Sequence, residues 1–463
     1  MNPPFGLKAD PVSNALIRII REVLVRRYGI ESGRPIPLKS RPSEHLEGLE
    51  LLEQGEGGSV SSGLIVGSVR MGYGHHRMGY SVCSWAIANN VTPYLHDLLA
   101  LESPESNLVR ETDDLYSFFS RLASEWGGPV EWLWGVITTN GDVNSLEFSL
   151  RLAEVLTNTM AALDSSLPVV SSYPMNGQIA AACGFKRVVN LVPDYYPQYY
   201  LLVPGALNLV QGPDAYDQFV KMGLPKDNLA VAGHWVSRDI AVNAASDSEK
   251  RIARLNQRKP LRILFSVGGA GAQKGFLLSW LEKSNELLGS GGVQFLINTG
   301  DHKAVFEALT RRLGQLNIDF SAVTNYSEVN ALCRSHPLDG AELKHSVTVF
   351  HFEAHADAFV ATDHLIRICD VLATKPSELA FYPVPKLFVK RVGDHEAASA
   401  LRSARLNEGT EELREPSLVH SMVERMCREP EVLLEMNEAV IRHAATGIYN
   451  GSKAAVEMAL AMK

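Results

Sequence analysis

Gly63–Val69 (GLIVGSV) is a continuous apolar run, followed by a glycine-containing loop and a helix-like stretch at about Arg77–Asn89. A run without polar alternation predicts a strand buried on both faces. The alternation recurs. Strands are expected at Thr92–Leu95, Pro168–Ser171, Arg187–Val192, Asn208–Gln211 and Leu229–Ala232, with helical stretches between them. Repeated β–α alternation dictates a parallel sheet with right-handed crossovers. After a polar, charged stretch at Ser246–Pro260, which reads as a divider, a second series starts at Leu261–Val267 (LRILFSV). It continues through Val293–Thr299, Ser346–Phe350, Asp370–Thr374 and Lys386–Val389, and residues 417–463 read as helical. The fold class expected is therefore α/β, with two doubly wound, Rossmann-like parallel-sheet domains, 61–245 and 246–463, facing a cleft. The last helices can pack back on the first domain. Ligands of such sheets sit at the carboxyl ends of the strands.

Residues 1–60 read as an extension of a different kind. Ser13–Tyr28 has helical apolar spacing at Leu16, Ile19, Ile20, Val23 and Leu24, with arginines scattered around it rather than gathered on one face. That favours a helix packed on the main body over one lying on a membrane. Gln54–Ser62 (QGEGGSVSS) reads as a flexible linker. The chain carries 44 Lys+Arg against 52 Asp+Glu, a net charge of −8, which argues against bulk nucleic-acid binding. The five cysteines lie far apart without a CxxC, so neither a disulfide framework nor a cysteine-based zinc site is expected, and a reducing cytoplasm suits them. No apolar run approaches the ~20 residues that span a bilayer.

Three constellations fall at expected strand ends. In Arg70–Met78 (RMGYGHHRM), Gly72 and Gly74 permit close backbone approach, and His75 and His76 follow at the start of a helix. A neutral imidazole there can take a proton from an acceptor hydroxyl. Ser266–Gly275 (SVGGAGAQKG) places Ser266, Gly268, Gly269 and Gly271 between a strand and a helix, where exposed N–H groups suit a phosphate. It is neither a P-loop nor a dinucleotide fingerprint, because the Lys-Ser/Thr pair and the later acidic residue are missing, and this disfavours a dehydrogenase. In Asp370–Glu396, a strand runs into Lys375, Pro376, Ser377 and Glu378. Glu378 is expected in a first helical turn, open to solvent and able to accept two ribose hydroxyls. His395 and Glu396 follow the next strand, suited to sugar hydroxyls. Asp113-Asp114 reads as helix capping. No Asp-x-Asp stands at a strand end, and no metal site is expected.

In this order and spacing, the sites resemble the glycosyltransferases of the monogalactosyldiacylglycerol synthase, processive diacylglycerol glucosyltransferase and MurG type, over most of residues 63–460. That family's opening Gly-Gly-Gly-His loop is matched by Gly72-Tyr73-Gly74-His75, and its Val-Thr-Asp strand end by Val192-Pro193-Asp194. Val210–Asp214, Gly233-His234-Trp235-Val236 and the Gly268-Gly269 loop follow in the family's order. So do Asp370, Thr374, Lys375, Ser377-Glu378, Pro385 and Gly393–Ser399. The departures are equally specific. Ser68 and Val69 stand where the family has an acidic residue, and the glycine-rich stretch between Lys375 and Glu378 is about five residues shorter.

The resemblance implies a GT-B-like arrangement and an inverting, metal-independent transfer of a sugar from a nucleotide-diphosphate donor, a UDP-sugar, to a hydroxyl acceptor. His75 and Asp194 would be catalytic. Ser266, Gly268, Gly269, Gly271, Lys375, Ser377, Glu378, His395 and Glu396 would bind the donor, with Gly72, Gly74 and His76 on the acceptor side. No cofactor is implied. The family's acceptors include lipids and lipid-linked sugars met at the inner membrane face. The aromatic Tyr195, Tyr196, Tyr199 and Tyr200 after Asp194 suit sugar stacking or an interface. Two rivals stand beside this reading: a nucleotide-sugar epimerase of the same architecture, and a catalytically inert nucleotide-sugar-binding protein.

Overall fold

A computed structural model describes residues 4–7, 11–57, 60–111, 143–268, 273–391 and 396–462. The chain forms two compact units: the first comprises Met1–Met71, Met78–Ser237 and Gly451–Lys463, the second Gly72–Arg77 and Arg238–Asn450. Both are doubly wound and Rossmann-like.

The first unit is built on a sheet ordered β1-β2-β4-β3-β5-β6-β7-β8. Its strands are β1 Leu38–Pro42, β2 Glu50–Gln54, β3 Leu64–Ser68, β4 Pro93–Asp97, β5 Val169–Ser171, β6 Val188–Leu191, β7 Leu207–Val210 and β8 Leu229–Val231. Every pairing is parallel except β1 with β2. Two of these strands come from the extension. β2 pairs with β4, so residues 38–54 extend the sheet, and the glycine-rich stretch begins only as β2 ends. Sequence reading passed over β1 and β2 because their residues are mostly polar and partly exposed, without the apolar run that marks the buried strands. Helix Pro11–Tyr28 packs on helix Val143–Val155, as its spacing suggests. Helix Gly451–Ala461 returns the chain's end to this unit, where Gly451 donates to the His234 carbonyl at 3.0 Å. A Cβ at Gly451 would lie 2.5 Å from the Gly233 carbonyl oxygen, which explains the glycine there.

The second unit's sheet is wholly parallel, ordered β11-β12-β10-β9-β13-β14. Its strands are β9 Leu261–Ser266, β10 Val293–Asn298, β11 Phe320–Val323, β12 Val347–Phe350, β13 Val371–Thr374 and β14 Lys386–Phe388. β9 and β10 are buried along their length, as continuous apolar runs require. Phe265, Trp280 and Phe295 pack as tilted rings in the core, with centroids 5.6 and 4.9 Å apart. Sequence reading missed β11, a half-exposed edge strand.

The polar stretch Ser246–Pro260 is mostly helical. Its residues to Asn256 complete helix Arg238–Asn256. Asp247, Arg251 and Arg254 are buried there. Asp247 takes the Arg367 guanidinium at 2.9 Å, and Arg254 reaches Asp370 at 3.1 Å and Glu342 at 2.8 Å. Charges that look solvated in the sequence are buried against ionic or carbonyl partners, and periodicity alone cannot tell the two apart. No helix among the described residues is long and apolar enough to cross a membrane.

Candidate functional site

The site lies in the second unit, at the carboxyl ends of its strands. β9 occupies the point where the strand order reverses: the chain winds from β9 towards β10 on one side and returns beside it as β13. The carboxyl ends of β10, β9 and β13 therefore form a row, and the place where the order reverses is where ligands of such sheets bind. β9 ends in buried Ser266, and Gly268 follows. Across from it, β13 ends in Thr374 and Lys375. A Cβ at Gly268 would lie 2.8 Å from Lys375 Cε, so the bare glycine gives the lysine stem its space. Lys375 is ion-paired with buried Glu396 at the start of helix Glu396–Arg405.

β10 ends in Asn298, whose side chain organises the next turn. Its Nδ2 donates to the Ala358 carbonyl at 2.8 Å and to Thr362 Oγ1 at 2.9 Å, and its Oδ1 accepts from the Gly300 N–H at 2.9 Å. Gly300 has φ +63. The turn presents Asp301 and His302. Tyr73 donates to Asp301 Oδ1 at 2.5 Å and accepts from the Asp301 N–H at 3.0 Å. His355 Nδ1 lies 3.5 Å from Asp301 Oδ2. The hydrogen bond from His355, set against burial and joined by Tyr73 and His302, holds the Asp301 carboxyl well below the usual carboxylate range. Burial first, and then Asp301, pushes the Tyr73 phenol up. Asp301 is therefore a fixed negative charge and an acceptor, and a poor base by its weak affinity for protons.

The segment after β3, Gly72–Arg77, is counted with this unit. Helix Gly74–Ala88 begins three residues earlier than expected, closed by an Arg77 N–H bond to the Tyr73 carbonyl at 2.9 Å. His75 and His76 accordingly lie within its first turn. They differ sharply. His76 is buried, its ring edge-on to His355 at 5.3 Å and near Phe359 at 5.9 Å. His75 is half-exposed, and Gly72 is exposed with φ +65. Arg77 is fully buried. Its Nη1 pairs with Glu378, and its Nε lies 3.5 Å from Asp363.

Glu378 departs from expectation. It opens a single 3₁₀ turn, Glu378–Phe381, and not an α-helix; Pro383 and Pro385 leave no room for a longer one. Nor is it open to solvent, since its side chain is only 19% exposed. Burial alone would push the carboxyl up, but Arg77, then Lys375 and the Ser377 hydroxyl, hold it below the ordinary carboxylate range. Its Oε2 would lie 3.2 Å from a Cβ at Gly74. The glycine of the first motif thus leaves room for the glutamate of the third. Ser377 is half-buried, with its N–H bonded to the Lys375 carbonyl at 2.8 Å.

Of the sequence-derived candidates, His75, His76, Gly74, Ser266, Gly268, Lys375, Ser377, Glu378 and Glu396 come together in the second unit. Asp194 follows β6 in the first unit and is half-buried. Nearby, Tyr195 is buried, Tyr199 donates to the Met222 carbonyl at 2.6 Å, and Tyr196 and Tyr200 are exposed. Gly269, Gly271, His395 and Asp113-Asp114 lie outside the described residues. Sequence reading missed Tyr73, Arg77, Asp301, His302 and His355. Asp301-His302 carried a usable signal, a Gly-Asp-His directly after an expected strand. Tyr73 and Arg77 frame the histidines four residues apart, a spacing that shares one helix face. Among the described residues, no group of three or more His, Cys, Asp or Glu could hold a metal ion.

A family described as a domain of unknown function (DUF6938) matches residues 224–460, and a second so described (DUF6937) matches residues 14–221. No curated protein sequence matches the chain. Among solved structures, it is similar to UDP-GlcNAc 2-epimerase from Neisseria meningitidis bound to UDP-GlcNAc. That similarity has 12% identity and a TM-score of 0.49, covering 86% of this chain and 99% of that one. A putative UDP-N-acetylglucosamine 2-epimerase from Listeria monocytogenes gives 11% identity and a TM-score of 0.47, covering 85% and 94%. The glycosyltransferase SnogD from Streptomyces nogalater gives 13% identity and a TM-score of 0.43, covering 87% and 100%.

Proposed function

The chain belongs to the family described as a domain of unknown function (DUF6938), and we propose that it is an inverting glycosyltransferase using a nucleotide-diphosphate sugar, a UDP-sugar, as donor. One observation carries the reading. Tyr73 and Arg77 fasten the Gly-Tyr-Gly-His-His-Arg segment to the same row of strand ends that carries Gly268 and Lys375. A half-exposed imidazole is thereby grouped with strand ends of the kind that bind nucleotides.

In this mechanism the diphosphate lies against Gly268 and Lys375, where a fixed cation and backbone N–H groups need no reorganisation as negative charge develops. His75 accepts the proton of the acceptor hydroxyl. The acceptor oxygen bonds the anomeric carbon as the carbon–phosphate-oxygen bond breaks, and that electron pair leaves with the diphosphate. One in-line displacement inverts the centre. The sequence resemblance supports a lipid or lipid-linked acceptor, and the exposed Tyr196 and Tyr200 offer aromatic faces for it.

The epimerase reading also has a specific observation in its favour. Asp363 and Glu378 both face the buried Arg77, and a pair of carboxylates can move protons at a sugar carbon. Incubating the protein with UDP-sugars in deuterated water separates the two. A transferase yields UDP and an inverted glycoside once an acceptor is present, with no deuterium in the donor. An epimerase yields a deuterated, epimerised donor with no acceptor at all. If neither UDP-sugars nor UDP bind, both readings fail.

A further inference from the structure

His302 has no role in either scheme, yet its placement is restrictive. It stands directly before helix Lys303–Gln315, and its Nε2 lies 3.1 Å from the Gly268 carbonyl oxygen. A carbonyl can only accept, so chemistry assigns the proton to Nε2. In the neutral ring Nδ1 is then left as the acceptor, and on protonation it becomes a second donor. The side chain is 20% exposed, within reach of a ligand. The groups facing it are Asp301, with Oδ1 3.9 Å from Nε2, and the Tyr73 ring, 6.2 Å away between centroids. Beyond Gly268 stands Lys375. His302 thus braces Gly268 and borders the place where the strand order reverses.

We propose that His302 binds a phosphate group of a nucleoside diphosphate through Nδ1–H, and does so only as the imidazolium. With Nε2 committed to Gly268, the neutral ring turns a lone pair towards the anion, whereas the cation turns a donor. The site takes up a proton as it takes up the anion. This rests on the nucleotide-sugar reading of the same site, and it makes His302 a ligand-binding residue and not the base.

The sign follows from linkage. The form that binds is the protonated one, so affinity falls as rising pH takes that proton away. The nucleotide's own phosphate also loses a proton as pH rises, with the opposite tendency. The variant comparison removes that contribution.

The test is calorimetric titration of UDP at pH 6 and pH 8 into wild type and His302→Gln, in buffers of different ionisation heat. Glutamine keeps an N–H for the Gly268 carbonyl and cannot titrate. Wild type should bind with net proton uptake relative to the variant and lose roughly tenfold more affinity between pH 6 and pH 8, about the worth of one charged hydrogen bond. Equal pH dependence in both proteins overturns the proposal. Nitrogen-15 histidine spectra of the wild type give a readout independent of the variant's folding. The Nε2–H tautomer is expected, and an Nδ1–H tautomer overturns it. The same spectra with inorganic pyrophosphate separate the two levels. A His302 resonance that moves with pyrophosphate while UDP binds nowhere keeps the anion site and refutes the nucleotide reading. A resonance that moves with neither refutes the His302 site itself.

Discussion

The two ends of the second sheet both carry charge, and they use it oppositely. At the amino end, Arg251, Arg254 and Arg262 are almost wholly buried. Arg251 donates to the Cys369 and Ile366 carbonyls at 2.8 and 2.9 Å, and Arg262 to those of His336 and Ala341 at 2.8 and 2.7 Å. Arg254 pairs with Asp370, whose Oδ2 also accepts the Arg262 N–H at 2.8 Å. These are staples between loops, with most of their donors spent on the protein itself. At the carboxyl end, Asp301, His302, Lys375 and Glu378 are paired yet keep part of their surface open. Ion pairs that are fully enclosed hold a fold; those left partly open can exchange a partner for a ligand.

The largest expected effect comes from the enclosed end. Arg254→Ala strands Asp370 and part of Glu342 without their cation, and breaking a buried pair costs about 3–5 kcal/mol. Urea unfolding should show that loss, while the folded fraction binds nucleotide as the wild type does. A loss of affinity at constant stability would erase the distinction between the two ends.

Next, His75→Ala should lower turnover by about 10²–10⁴-fold, the usual worth of a general base, with little change in stability. His76→Ala sharpens the test. Its ring is packed between His355 and Phe359, so it should lose stability more than rate. A benign His75→Ala moves the base elsewhere, with Asp97 and Asp194 to be tried.

Glu378→Ala comes third. The carboxylate is largely enclosed and faces a fully buried Arg77, with Asp363 left as a longer partner, so about 2–3 kcal/mol is expected. The pH dependence has a definite sign. A carboxyl held below its ordinary range stabilises the fold above the unfolded-state value, and that contribution is lost as pH falls through the depressed one. Wild type should therefore lose stability in acid more steeply than Glu378→Ala, as melting curves from pH 7 to pH 3 would show. Parallel curves would mean that Glu378 is not held in the ionised form.

The smallest effect is at Gly268→Ala. Its Cβ would meet only the flexible end of Lys375, so the fold should be nearly unaffected while nucleotide affinity drops about tenfold, within the worth of one charged contact. An unchanged dissociation constant would detach Lys375 from the ligand.

Much of this architecture was legible because buried parallel strands write themselves as apolar runs: β3, β9, β10 and β13 all lie within the runs that predicted them. β1, β2 and β11 are polar or half-exposed and left no such trace. The charged stretch within helix Arg238–Asn256 misled for a related reason. A sequence shows a charge but not its partner, and Arg254 and Asp370 are 116 residues apart. Motif reading singled out His75, Gly268, Lys375 and Glu378, which the structure places in the second unit. It could not foresee that Glu378 would be held by Arg77 from a segment 301 residues away, nor that Asp370, read as part of a ligand-binding motif, would be spent on Arg254 at the opposite end of the strand.

The most direct test of the central claim is calorimetric titration of UDP into the wild type and into Lys375→Gln, which keeps a hydrogen-bonding partner for Glu396. The account predicts saturable binding by the wild type, weakened roughly 10–100-fold in the folded variant for loss of a charged contact to the diphosphate, with a lower melting temperature because buried Glu396 loses its cation. Wild type that does not bind UDP, or a variant that binds it equally well, would contradict the assignment of this strand-end crevice to a nucleotide diphosphate.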